Sequence, residues 1–196
     1  MTNMAMAGAY PIDLEVDGPS SQSRLTVFFR YFMIIPHAIV LYALQLVVSV
    51  VSLLAWFAIM FTGSYPAGLQ SFAVNFMHWN TRVSGYLLLM TGTYPPFALG
   101  PDSAYPVRLL IEPQLSGRNR LTVFFRYFML IPHIFVLFVF ILIAVVVYFV
   151  AWLVALFTGS VPAGMHNFLV GVLRYMARVQ GYQMLLVDTY PPFGTS

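Results

Sequence analysis

Cysteine is absent from the 196-residue chain, and charged residues are scarce. Without a thiolate the chain can form no disulfide, no cysteine-based catalytic site, and no zinc or iron–sulfur centre with cysteine ligands. Only 8% of the residues are charged, against about 25% in a typical soluble domain, while 60% are hydrophobic. A water-soluble chain of this size would lack the polar side chains needed to cover such a core. The composition therefore predicts a protein whose solvent is the lipid bilayer.

The usual residues of catalysis are also missing. None of the six acidic residues falls within the two long apolar runs, so no proton relay or coupling-ion site of the usual kind is predicted there. The sequence contains no nucleophile elbow, P-loop, dinucleotide fingerprint or metal-spaced cluster of His, Asp and Glu. We therefore expect a protein that is not an enzyme, with no catalytic residues, no metal site and no cofactor.

All the positive charge comes from nine arginines, and these flank the apolar segments. The net charge of +3 and the pI near 9.3 could indicate nucleic-acid binding. Arginines at the ends of apolar segments instead follow the positive-inside rule of membrane proteins. We expect anionic lipid headgroups as partners and no nucleic acid.

One segment organises the chain because it occurs twice. Residues 24–37 read RLTVFFRYFMIIPH and residues 120–133 read RLTVFFRYFMLIPH, so thirteen of fourteen positions are identical. Further matches follow at the same spacing of 96 residues, including FTGSYPAG with FTGSVPAG and two copies of TYPPF. Such self-similarity is the signature of a duplicated unit.

The matches predict two tandem repeats with a short linker. Repeat 1 covers residues 10–97, the linker covers 98–104, and repeat 2 covers 105–193 with the same layout. The N-terminal sequence has neither a basic segment nor an apolar core of the kind found in signal peptides, so we expect no cleavable signal.

Each repeat contains a long run without charge, 51 residues from Tyr31 to Thr81 and 47 residues from Tyr127 to Leu173. A helix crosses the ~30 Å hydrocarbon layer with ~20 residues, so each run suits two crossings. Arginine at both ends of each run predicts that both ends lie in the cytoplasm and that the two repeats share one orientation. We expect a multi-pass membrane protein with both termini in the cytoplasm.

The second half of each run leaves two interpretations open. The return segment, which ends near Arg82 or Arg178, could cross the membrane with its arginine face inside a bundle. It could also lie flat as an amphipathic helix at the interface, in which case the preceding apolar run would itself enter and leave the membrane as a hairpin. We predict a membrane α-helical fold of two tandem repeats, each a membrane helical hairpin plus an amphipathic helix.

Short cytoplasmic β-strands are predicted at the start of each repeat. The segments YPIDLEVD and YPVRLLIE alternate apolar and polar residues with the period of a strand. Asp13 and Arg108 occupy equivalent repeat positions with opposite charge, so we expect the two strands to pair and these side chains to meet. The segments 86–97 and 182–193 are predicted to add further strands.

The combined motifs F-F-R-x-F-x-x-I-P-H, A-W-x-x-x-x-F-T-G-x-x-P-x-G and T-Y-P-P-F occur in both repeats. Together they resemble a family of bacterial membrane proteins, a domain of unknown function that is common in actinobacteria. The resemblance covers nearly the whole of both repeats. It implies a location in the bacterial plasma membrane, and it brings no activity, ligand or catalytic residue.

Two sets of repeated residues are candidate binding sites. His37 and His133 each follow a proline at a predicted membrane entrance, and they could ligate a haem iron if the repeats pack about a two-fold axis. A simpler interpretation is a histidine at the interface. Four arginines could contact lipid phosphates or partner subunits, or could only set the topology; they are Arg30, Arg126, Arg82 and Arg178.

These observations favour a non-catalytic membrane protein that serves as an accessory or scaffold subunit of a larger bacterial membrane complex. One alternative is a hairpin protein that shapes the membrane or organises its lipids. Another is a transporter of small apolar solutes, or a haem-binding redox subunit.

Overall fold

A computed structural model describes residues 10–195. The first nine residues, for which no signal peptide is predicted, lie outside this range. The elements in chain order are β1 (Ile12–Val16), α1 (Arg24–Thr62), α2 (Ala67–Leu87), β2 (Val107–Ile111), α3 (Arg120–Phe124), α4 (Arg126–Thr158) and α5 (Ala163–Gln183). The predicted helical architecture with a small sheet is confirmed.

The apolar run of each repeat begins with one unbroken helix. α1 has 39 residues and α4 has 33, which correspond to about 58 Å and 50 Å at 1.5 Å per residue. Each helix ends at a glycine in the left-handed conformation, Gly63 with φ 73° and Gly159 with φ 80°. The interpretation in which this run folds back on itself as a hairpin is therefore wrong, since nothing in it interrupts the helix before that glycine.

The predicted helical hairpin is formed instead by each long helix and the helix that follows it. α2 packs against α1, and α5 packs against α4. α2 and α5 are covered by protein on most sides, including the side that carries Arg82 and Arg178. The return helix thus keeps its arginine face inside the protein, as the first of the two interpretations expected, and it does not lie alone at a surface.

The two strands form an antiparallel pair in which Leu14 lies opposite Leu109. The predicted pairing of the strands is confirmed, but the predicted contact of Asp13 with Arg108 is wrong. Arg108 forms ion pairs with Glu15 and Asp17 instead. Equivalent residues of two antiparallel repeated strands face each other only at the symmetry axis, which here passes between Leu14 and Leu109. Asp13 and Arg108 each precede this pair in their own strand. Because the strands run in opposite directions, these two residues lie on opposite sides of the axis.

The predicted strands in residues 86–97 and 182–193 do not form. Each segment makes a tight turn just after its helix, with Leu89 (φ 61°) and Leu185 (φ 62°) in the left-handed region. Both leucines are buried, so their packing offsets a backbone conformation that is unfavourable for a branched side chain. The same outlier in both repeats shows that this turn is part of the duplicated fold.

The two repeats are related by a pseudo-two-fold axis, which makes α1 and α4 antiparallel. The indole Nε1 of Trp56, near the end of α1, donates to the carbonyl oxygen of Val123 in α3, at 3.1 Å. The equivalent Trp152, near the end of α4, donates to Val27 near the start of α1, at 3.0 Å. The end of each long helix therefore lies beside the beginning of the other.

The elements stack in three layers. The strands contact α2 and α5 but neither long helix, α2 contacts α5, and α1 contacts α4. The order is therefore the sheet, then α2 with α5, then α1 with α4. The pseudo-two-fold axis passes through all three layers.

The repeats exchange their strands. β1 of repeat 1 packs on α5 of repeat 2, and β2 packs on α2 of repeat 1. A Cβ atom at Gly181 would overlap the side chain of Ile12, and one at Gly85 would overlap Val107. Glycine at these two helix positions lets each strand approach the helix of the other repeat closely.

Candidate functional site

The repeated segment at the start of α1 forms a buried clamp around the end of α2. Arg30 is fully buried, and its Nη1 donates to the carbonyl oxygens of Tyr86 and, at 3.2 Å, Thr91. Its Nη2 donates to Oε1 of Gln22 at 2.6 Å, and the guanidinium lies over the Tyr86 ring. Carbonyl groups at a helix C-terminus have no partner within the helix and attract a positive charge. Arg30 therefore closes the end of the return helix.

Repeat 2 builds the same clamp with an ionic partner. Arg126 is fully buried and donates to the carbonyl oxygens of Tyr182 at 3.4 Å and Val187 at 2.8 Å. Its Nη2 forms an ion pair with Asp188 at 2.7 Å. Arg118, which takes the place of Gln22 in this repeat, forms a second ion pair with the same oxygen of Asp188 at 2.7 Å.

The electrostatics of this second clamp favour an ionised Asp188. Burial raises the pKa of its carboxyl group, but this effect is outweighed by the hydrogen bonds from Arg118 and the Asn119 N–H and by the charges of Arg118 and Arg126. The net pKa of Asp188 therefore lies below its usual value. At neutral pH the clamp is a carboxylate held between two guanidinium groups.

His37 lies in an aromatic cage that its own repeat provides. The ring is buried, its Nδ1 accepts a hydrogen bond from Trp79 Nε1 at 3.2 Å, and it stacks on Phe97 with ring centroids 3.7 Å apart. Tyr94 closes the cage, and its hydroxyl donates to the carbonyl oxygen of Met33. The TYPPF segment thus serves to enclose the histidine of the same repeat.

His133 is enclosed in the same way by the second repeat. Its Nδ1 lies 2.6 Å from the hydroxyl of Tyr175, and its ring stacks on Phe193. In the described part of the chain, Nε2 of His37 and of His133 has no hydrogen-bond partner, and no group of three potential metal ligands occurs. Haem ligation by these two histidines stays a prediction, and it would require aromatic side chains to leave both rings.

Arg82 and Arg178 also lie inside the protein. Arg82 donates to the carbonyl oxygens of Ala98 and Gly100 in the linker. Arg178 donates to the carbonyl oxygen of Ile12 at 3.1 Å, which ties α5 to β1. We predicted that these two arginines and the clamp arginines contact lipid or partner subunits, and this stays a prediction. Such a contact would require each guanidinium group to leave the protein groups that it now contacts.

Two other arginines, which sequence reasoning did not select, are exposed. Arg24 and Arg120 begin the repeated segment and lie at the rim of the long-helix layer. Within the described range neither is shown to form a hydrogen bond or ion pair through its guanidinium group. Their position as the first residues of α1 and α3, directly before an apolar helix, was the available signal.

The outer side of α1 and α4 forms a continuous apolar surface. Along each helix, the exposed side chains between the two ends carry no charge. Many of them are large hydrophobic residues with at least a third of their area exposed. We call this region the apolar surface; its members include Leu25, Phe28, Phe32, Ile35, Ile39, Leu46, Val50, Leu53, Phe57 and Phe61 of α1, and Phe128, Ile131, Phe135, Phe138, Leu142, Val146, Phe149 and Phe157 of α4.

The opposite side of the molecule is charged. There the sheet carries Glu15 and Asp17, each with 57% of the side chain exposed, and Arg108 between them. A cleft of about 360 Å³ on this side is lined by charged residues, which include Arg82 and Asp102, and by apolar residues of β2. The protein therefore has one apolar and one charged face, with the paired helices α2 and α5 between them.

A second, apolar cleft of about 370 Å³ opens between the start of α1, the end of α2, α4 and α5. On α4 it is lined by Ile141, Val145 and Tyr148. The equivalent positions of repeat 1 are the polar residues Gln45, Ser49 and Ser52. Along the long helices, this is where the side chains of the two repeats differ most in polarity. The sequence alone showed the Gln45–Ile141 difference but gave no reason to expect a cleft there.

Comparison with known proteins supports the duplicated architecture. The family model of DUF4389, a domain of unknown function, matches residues 24–98 and 120–194. Each match begins at the first arginine of the repeated segment and includes the TYPPF cage. The predicted resemblance to a domain of unknown function in two tandem copies is thus confirmed. No curated protein and no solved structure matches the chain.

Proposed function

We propose that this chain, which belongs to the DUF4389 family through both of its repeats, is a non-catalytic membrane protein that binds and organises lipid through its apolar surface. The observation that carries the proposal is this surface. Monomeric soluble proteins rarely expose a contiguous apolar patch larger than a few hundred Å². The resemblance of the motifs to bacterial membrane proteins favours the bacterial plasma membrane as its location.

Length and composition alone would not distinguish α1 and α4 from core helices. Both are long and apolar enough to span a membrane, a property shared by buried helices of soluble proteins. The side chains of a core helix would be covered, however, whereas only 28% of the most apolar window of α1 and 11% of that of α4 are buried. Exposure of this kind favours a lipid environment.

A non-catalytic role is supported by the contacts of the candidate residues. Arg30 and Arg126 close the ends of the return helices, and His37 and His133 are packed among aromatic rings. These polar groups support the duplicated fold. A substrate would meet mainly hydrocarbon side chains on the apolar surface and in the apolar cleft.

Lipid organisation is the function that these features suit best. The apolar surface would contact acyl chains, and the apolar cleft has a volume within the range of small-molecule pockets. Arg24 and Arg120 lie at the rim of the surface, where guanidinium groups could bind headgroup phosphates. Anionic phospholipid is therefore the expected partner.

Vesicle flotation tests the proposal. We expect the purified protein to float with vesicles of phosphatidylcholine and phosphatidylglycerol. The double variant Leu46→Glu with Leu142→Glu should reduce the bound fraction by at least about tenfold, because each substitution moves a carboxylate into hydrocarbon.

Leu110→Glu is the matched control, since Leu110 is an exposed leucine on the sheet. It should float as the unchanged protein does. A wild-type protein that stays in the aqueous fraction, or a double variant that still floats fully, would contradict the proposal.

The charged face favours a second candidate, an accessory or scaffold subunit. Glu15 and Asp17 remain over half exposed and could face another subunit. Extraction in a mild detergent followed by mass spectrometry should then recover a stoichiometric partner. The double variant Glu15→Lys with Asp17→Lys should lose this partner. Recovery of the chain alone argues against this role. Transport of apolar solutes and a haem-binding redox role stay predictions.

A further inference from the structure

We propose that α1 and α4 lie in the plane of the membrane, within one leaflet, and that the acyl chains of that leaflet cover the apolar surface. This orientation rests on the proposed function, the association of the chain with lipid. It replaces the predicted crossing of the bilayer by each repeat. Four features of the structure support it.

The first feature is the antiparallel arrangement of the long helices. If α1 and α4 stood upright in a bilayer, Arg24 and Arg120 would lie on opposite sides of it, because the end of each helix lies beside the start of the other. The repeated segment that opens both long helices is identical at thirteen of fourteen positions, so its arginines direct the same orientation. If the pseudo-two-fold axis runs along the membrane normal, both repeats have the same orientation and the long helices can still be antiparallel. Because this axis is perpendicular to α1 and α4, the two helices then lie in the plane of the membrane.

The second feature is the position of the charged sheet. Arg174, at the middle of α5, forms an ion pair with Asp13 and donates to the carbonyl oxygen of Leu14, the residue at the centre of the strand pair. In an upright molecule Asp13, Glu15 and Asp17 would therefore lie near the middle of the hydrocarbon layer, where carboxylates are strongly unfavourable. With the helices in the plane, the sheet lies on the side away from the lipid.

The third feature is the open edges of this sheet. It has two strands, so each strand has one edge without a partner strand. On β1, Arg174 and Arg178 already bond the carbonyl oxygens of Leu14 and Ile12, whereas the outer edge of β2 has no side-chain contact of this kind in the described residues, which leaves its N–H and C=O groups open. Lipid cannot satisfy those groups, and open sheet edges do not occur against hydrocarbon. Water on the charged side of an in-plane molecule can satisfy them.

The fourth feature is the length of the apolar surface. Exposed apolar side chains extend from Leu25 to Phe61, about 54 Å along α1, whereas the hydrocarbon layer is ~30 Å thick. An upright helix would leave apolar residues in water at its ends. A helix of ~10 Å diameter in the plane fits the ~15 Å of one leaflet at any length.

Spin-label depth measurements test the orientation. Ile35, Leu46 and Phe57 are exposed on one line of α1, each eleven residues from the next, or about three turns. Each is replaced by cysteine and labelled, which the cysteine-free chain permits. In vesicles of phosphatidylcholine and phosphatidylglycerol, collision rates with oxygen and with a water-soluble nickel chelate report the depth.

We expect the three labels to report one common depth within a single leaflet. A label at Ser103, beside the charged cleft, should remain accessible to the nickel chelate. An upright helix would instead place Leu46 near the bilayer centre with Ile35 and Phe57 shallower, and that profile would overturn the in-plane orientation. Full exposure of all labels to the chelate would instead overturn the proposed function, because the protein would not be in lipid.

A second measurement does not require a label on the apolar surface. Ser23 and Ser64 lie at the two ends of α1. Replaced singly by cysteine in sealed vesicles, both should react with an impermeant maleimide added to the same side. Reaction from opposite sides would show that α1 crosses the bilayer and would overturn the proposal.

Discussion

A buried guanidinium group can be part of a fold rather than of a binding site. Arg30 and Arg126 are fully buried, yet each meets carbonyl oxygens and an aromatic face from the end of its return helix. Arginine suits this place because its planar fork donates to several acceptors at once and stacks on a ring. The identity of the arginine, methionine and histidine of the repeated segment in both repeats follows, since all three contact the same turn and aromatic cage.

Acid should weaken the second clamp through Asp188. The pKa of Asp188 is lower in the folded protein than the usual value of about 3.9 expected in the unfolded chain. Its contribution to stability is therefore complete above about pH 4 and is lost as the pH falls through the folded-state pKa. Asp188→Asn should reduce the free energy of unfolding by about 3 kcal/mol at neutral pH, because it leaves two buried guanidinium groups without their carboxylate.

Unfolding in detergent micelles, followed by tryptophan fluorescence between pH 7 and pH 3, measures this difference. It should shrink below about pH 4 as the wild-type carboxyl group becomes protonated. Glu112→Gln, at an exposed acid, serves as the control and should match the wild type. A constant difference across the pH range would contradict the assignment to Asp188.

At the scale of elements, the exchange of strands between repeats depends on two glycines. Gly85 and Gly181 occupy equivalent positions late in α2 and α5, and each faces the side chain of a strand residue from the other repeat. The arginines of α5 add polar contacts to the same strand, through Asp13 and the carbonyl oxygen of Ile12. Close packing and hydrogen bonds therefore hold β1 on α5 together.

Gly181→Ala should destabilise the protein by about 1–3 kcal/mol, because the added methyl group overlaps Ile12 in a closely packed interface. Gly164→Ala in the same helix is the matched control. Its Cβ would meet open space, and alanine should leave stability unchanged or raise it by up to about 1 kcal/mol. Thermal unfolding of both variants in the same detergent checks the comparison; equal effects would show that β1 can move away from α5 at little cost.

At the scale of the whole molecule, the exchanged strands make the two repeats one folding unit. β1 completes repeat 2 and β2 completes repeat 1, while Trp56 and Trp152 join the ends of the long helices across the repeats. Neither repeat is complete without the other, although each has its own clamp and cage. The chain therefore resembles a dimer whose two subunits have been joined.

Cutting the chain at the exposed linker tests this unity. Two fragments, 1–103 and 104–196, should form a stable 1:1 complex when they are produced together in the same cells. Either fragment produced alone should be degraded or aggregate, because the strand that covers its return helix is missing. Affinity purification through a tag on one fragment measures the complex; two fragments that fold separately as monomers would contradict the exchange of strands.

The duplication, the apolar character of the long helices and the strand period of the first segments could be predicted from the sequence alone. These depend on local patterns: identity at a fixed spacing, the length of an uncharged run, and alternation with period two. The repetition also marked Arg30, Arg126, His37 and His133 as special, although the role it suggested for them was contact with lipid, haem or a partner. The charge-free runs showed that two long apolar segments exist, but not that each begins with one unbroken helix.

Where those side chains and helices lie relative to one another depends on contacts between distant parts of the chain. The carbonyl partners of Arg30 come from residues 56 and 61 positions away in the chain, and a local pattern carries no information about such distant contacts. The antiparallel direction of α1 and α4 likewise depends on the packing of one repeat against the other. Because flanking charge reports only which side of a membrane a segment faces, it could not distinguish upright helices from helices that lie in the plane.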